Sequence, residues 1–109
     1  MRDPNIKVSH DYYLEKFPEN GKFYMRRAGE GDVPGGVFDG IVLEVGWSDT
    51  VVLAKIKRLY GGDEDGVYRL DLSSGQVIGP LPDETLQFEK YSSISMEEVS
   101  TVWNRMKSK

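Results

Sequence analysis

The first residues able to do chemistry are Ser9, His10 and Asp11, a hydroxyl, an imidazole and a carboxylate in direct succession. A nucleophilic relay needs the three side chains to converge, with the imidazole between the other two. Neighbours in an extended chain point to opposite sides and cannot form one. His10 is also the only histidine, so paired-imidazole acid–base work and multi-histidine metal sites are excluded. His10 is read as a surface residue, and no catalytic residue is assigned.

Two further clusters invite a site. Gly29, Gly31, Gly35, Gly36 and Gly40 surround Pro34, and amides in such turns can cradle phosphate. No Gly-Lys-Ser/Thr follows, the spacing is not Gly-x-Gly-x-x-Gly, and no helix pattern opens after the glycines. The stretch 29–40 is therefore a long loop. Asp63-Glu64-Asp65, between Gly61-Gly62 and Gly66, is the densest group of carboxylates. A calcium loop begun at Asp63 needs a bidentate Glu at its twelfth position, where Ser74 stands. The acidic triplet is instead a solvated hairpin tip, or a contact for a basic protein partner.

The chain has 109 residues, no Cys, and 14 Lys+Arg against 18 Asp+Glu, a net charge of −4. That length fits a single domain over 1–109. Without cysteine there is no thiol catalysis, Cys-ligated zinc, iron–sulfur cluster or disulfide scaffold. No cofactor or metal is expected. Nucleic-acid binding is disfavoured, because it relies on clustered Lys and Arg. Residues 1–60 carry nine bases and nine acids, whereas 61–109 carry five bases and nine acids. All the acidic surplus thus belongs to the second half. No apolar run approaches the ~18 residues of a membrane span, and the opening Met1-Arg2-Asp3-Pro4-Asn5 lacks a signal-peptide core. The chain as written is expected to be cytoplasmic, and periplasmic or envelope-associated if a leader was removed.

These residues must be carried by strands and a terminal helix. Residues 22–27 are rich in β-formers. Gly40–Trp47 places Ile41, Leu43, Val45 and Trp47 on one face by strict alternation. Residues 50–60 place Val52, Ala54 and Ile56 on one face and Val51, Leu53 and Leu59 on the other, so 40–60 is predicted to be an antiparallel hairpin broken at Ser48-Asp49. Lys55 and Lys57 share a face and read as protection of an edge strand. Residues 66–72 alternate Tyr68, Leu70 and Leu72 with Val67, Arg69 and Asp71; Gly75 is expected at positive φ before 76–78 returns. A short helix is predicted from Pro82 to about Lys90. Ser95 and Glu98 have the spacing of a capping box, and Met96, Val99, Val102, Trp103 and Met106 form an apolar helical stripe. The predicted fold class is α+β: an antiparallel sheet of about five strands with the C-terminal amphipathic helix packed on it. Residues 1–10 are a candidate for disorder. Trp103 and Tyr68 are expected inside, whereas Tyr12 and Tyr13 are expected to be exposed.

The run from Tyr68 through Leu70, Asp71, Gly75, Gly79, Pro80 and Leu81 resembles a Tyr-x-Leu-Asp-x-x-x-Gly-x-x-x-Gly-Pro-Leu signature in small bacterial proteins of unknown function, often lipoprotein-like. The likeness covers about residues 38–90 and extends to the Trp47 hairpin. It implies a strand–turn–strand followed by an acidic helix, and an envelope location, although the lipidation cysteine of those proteins is missing here.

The functional expectation is a non-enzymatic bacterial protein-binding module, most concretely an immunity protein that neutralises a toxin, a class that is small, acidic and motif-free. Its expected contacts are Asp63, Glu64, Asp65 and Tyr60, with Tyr12 and Tyr13 as a second aromatic contribution. The alternatives are an envelope-associated domain and a small hydrolase built around the 29–40 loop.

Overall fold

The computed structural model describes residues 5–9, 11–17, 19, 21–28, 36–38, 40–58, 65–82 and 94–107. Among them the chain forms two antiparallel sheets and one C-terminal helix, an α+β arrangement. Strands β1 (Asn5–Ser9), β2 (Tyr12–Lys16) and β3 (Phe23–Arg27) form the smaller sheet in the order β1-β2-β3. Strands β4 (Gly40–Trp47), β5 (Val51–Arg58), β6 (Gly66–Asp71), β7 (Val77–Ile78) and β8 (Glu97–Glu98) form the larger, in the order β7-β6-β5-β4-β8. Helix α1 spans Val99–Lys107.

The β4–β5 hairpin is the one the alternation predicts. Its turn is closed by Ser48 N–H donating to Val51 C=O at 2.9 Å, and the Ser48 hydroxyl accepts from the Thr50 and Val51 amides. The expected face of β4 holds at Val45 and Trp47 but fails at Leu43. Val42 pairs with Ile56 while Glu44 pairs with Lys55, so Leu43 is an extra residue in a β-bulge. A bulge shifts the alternation by one. Val42 and Val45 are therefore both buried, and Leu43 is left exposed.

β5 is the middle strand, which corrects the edge-strand explanation of Lys55 and Lys57. Its Val52, Ala54 and Ile56 face the main core. On the other face Leu53 is buried with Ile94, while Lys55 and Lys57 are exposed. At the β6–β7 turn, Asp71 accepts from the Ser73 amide, the Ser73 hydroxyl and the Ser74 amide, and Gly75 has φ +77°, as the turn requires. These bonds, the Ser73 hydroxyl first, hold the Asp71 carboxyl below its ordinary range.

The smaller sheet is the main addition to the predicted fold. Only 22–27 carries a clear strand pattern, yet β1 and β2 pair over Asn5↔Glu15 to Ser9↔Tyr12, so part of 1–10 is ordered strand. One face of the sheet supplies Tyr12, Leu14, Phe23 and Met25 to the same core as β4, β5, β6 and α1. Tyr12 is 3% exposed, so its expected place at the surface is overturned. Its ring lies under the Arg27 guanidinium at 5.8 Å.

Helix α1 buries Val99, Val102 and Trp103, as the apolar stripe predicts, and Trp103 meets Phe23 of β3 with ring centroids 5.3 Å apart. The helix begins at Val99 and not beside Ser95, because Glu97 and Glu98 are drawn into β8 by pairing with Val45 and Glu44. The capping box is therefore not the start of the helix. Glu98 stands just before the first helical residue, where a carboxylate suits the helix dipole, and Arg105 and Lys107 occupy the opposite end. The predicted helix from Pro82 to about Lys90 falls outside the described residues after Pro82. The 29–40 loop is described only at 36–38, a 3-10 turn with Phe38 fully buried, and at Gly40, which opens β4.

Candidate functional site

The acidic triplet is reached through β6. Asp65 immediately precedes that strand and is exposed; Asp63, Glu64 and Tyr60 lie outside the described residues, as does His10. Gly66 pairs with Ile56, which in turn pairs with Val42, so Asp65 enters at the end of the sheet where β4 begins. Tyr12 and Tyr13 are on β2 in the other sheet. Adjacent strand residues point to opposite faces, and they do so here: Tyr12 is in the core, whereas Tyr13 is half-buried opposite Arg26. The two tyrosines cannot act as one exposed pair.

At the other end of β4 the structure forms a cleft that the sequence does not announce. It measures about 190 Å³ and is bounded by Val45, Gly46 and Trp47 of β4, Ser95 and Glu97 around β8, and Val102 and Arg105 of α1. The close approach of two of its walls depends on Gly46. A Cβ at that position would lie 2.5 Å from the Ser95 carbonyl oxygen and 3.0 Å from Ile94, so only glycine lets the 94–96 segment cross β4 this closely. The side chain of Trp47 is half-buried on the wall.

The polar rim is organised. Arg105 Nη1 donates to both Glu97 carboxylate oxygens, at 2.9 and 2.7 Å. Both side chains stay solvent-accessible, at 49% for Arg105 and 36% for Glu97. The pair joins residues eight apart, but through tertiary structure: Glu97 is in a strand and Arg105 two turns along the helix that follows. Acid also gathers along this edge. Glu44 stands directly across from Glu98, and the Glu44 carboxylate is 3.7 Å from Lys55 Nζ. Sequence spacing alone could not find the cleft, since it requires the β4–β8 register and a helix start at Val99.

The cleft brings Val45, Trp47 and Val102 together with a bonded pair of opposite charges, Glu97 and Arg105. Those features suit adhesion to another surface. Among the described residues no group of three or more His, Asp or Glu side chains is placed to hold a metal ion. No helix among them is long and apolar enough to cross a membrane. No protein-family model, curated protein or solved structure matches the chain.

Proposed function

We propose that this chain is a non-enzymatic protein-binding module, most concretely an immunity protein that neutralises a basic toxin. The observation that carries the proposal is the Trp47–Arg105 cleft. Trp and Arg are over-represented among the residues that dominate binding energy, and they act best when held in place beforehand. Here Arg105 Nη1 bonds both carboxylate oxygens of Glu97, which tethers the guanidinium at the rim, and Gly46 lets the 94–96 segment cross β4 next to Trp47.

Charge supports a basic partner. The chain is −4 overall with its surplus beyond residue 60, and Glu44, Glu97 and Glu98 line the β4–β8 edge beside the cleft. The acidic triplet Asp63, Glu64 and Asp65 is the second element of the reading, and its described member, Asp65, precedes β6 at the end of the large sheet opposite the cleft. Its role is to steer encounter, an effect that fades with salt, while the cleft supplies the short-range contacts.

The test is capture of partners from the source organism by the wild-type chain and by the triple variant Asp63→Lys, Glu64→Lys, Asp65→Lys. A basic protein retained by the wild type, with weaker and less salt-sensitive retention by the variant, is the expected result. Equal retention with identical salt dependence would remove the acidic connection from the interface.

A further inference from the structure

We draw no further inference here: the strongest candidate, the outer face of the five-stranded sheet where Leu43 and Ile78 are exposed around the apolar cluster of Leu53 and Ile94, is an apolar face for which nothing in the structure shows what covers it.

Discussion

Glu15 of β2 and Arg26 of β3 meet diagonally across the smaller sheet, the guanidinium Nε donating to a carboxylate oxygen at 2.5 Å. The Arg26 side chain is only 7% exposed and that of Glu15 24%, so this cation is held away from water with the carboxylate as a partner. Arg26 also lies over the Phe17 ring at 5.6 Å, and Phe17 packs against Tyr24 at 4.8 Å. The face of the sheet turned from the main core is therefore a packed aromatic and ionic layer.

Removing the carboxylate should cost more than removing the pair. Glu15→Ala leaves a buried guanidinium short of its anion and is expected to destabilise the fold by about 1–3 kcal/mol. Replacing both partners with apolar residues, Glu15→Leu with Arg26→Met, should recover most of that loss, because a desolvated ion pair is seldom better than well-packed apolar side chains. Urea denaturation of Glu15→Leu, Arg26→Met and the double variant measures the coupling. Additive losses would mean that the two groups do not depend on each other.

Gly46→Ala tests the crossing that builds the cleft. The added methyl meets backbone at Ser95, which cannot swing away as a side-chain end can. A loss of about 1–3 kcal/mol is expected, typical of overpacking. Amide exchange should also speed up at Glu97 and Glu98, where β8 pairs with β4. An unchanged exchange pattern would show that the 94–96 segment does not need the glycine.

Asp71 makes the β6–β7 turn sensitive to acid. Its folded-state pKa lies below the ordinary value of 3.8, so the carboxylate contributes stability that is fully present above that value and lost as pH falls through the folded pKa. The wild type should therefore be more stable than Asp71→Ala at pH 7, with the advantage shrinking below pH 3.8. Thermal melts of both proteins between pH 7 and pH 2.5 check this. A gap that stays constant over that range would assign the turn's stability to something other than the ionised carboxylate.

The parts of the fold that are legible in the sequence are those whose pattern follows from one strand or helix alone. The β4–β5 hairpin, the Asp71–Gly75 turn and the Val99, Val102, Trp103 stripe are of this kind. Leu43 defeats the alternation because a bulge is set by the partner strand as well as by its own residues. Glu97 and Glu98 defeat the capping box because pairing to β4 competes with helix for the same backbone. β1 and β2 go unread because polar side chains at Lys7, Ser9, Glu15 and Lys16 mask the single apolar face that Tyr12 and Leu14 present. The Trp47–Arg105 cleft inherits the difficulties at Leu43 and at Glu97 and Glu98: its walls come from β4, β8 and α1, and their meeting follows from register. The exposed acidity at Asp65, by contrast, was visible in composition.

The Arg105→Ala variant separates binding from folding. A half-exposed ion pair contributes at most about 1 kcal/mol to stability, so the variant should fold and melt almost as the wild type does. An anchoring arginine in an interface is worth 2 kcal/mol or more. The most direct measurement is the affinity of wild type and Arg105→Ala for the purified basic protein that the wild type captures, made by titration calorimetry at one salt concentration. A loss of at least about thirtyfold with an unchanged melting temperature is the predicted result. Equal affinities would contradict binding at the Trp47–Arg105 cleft.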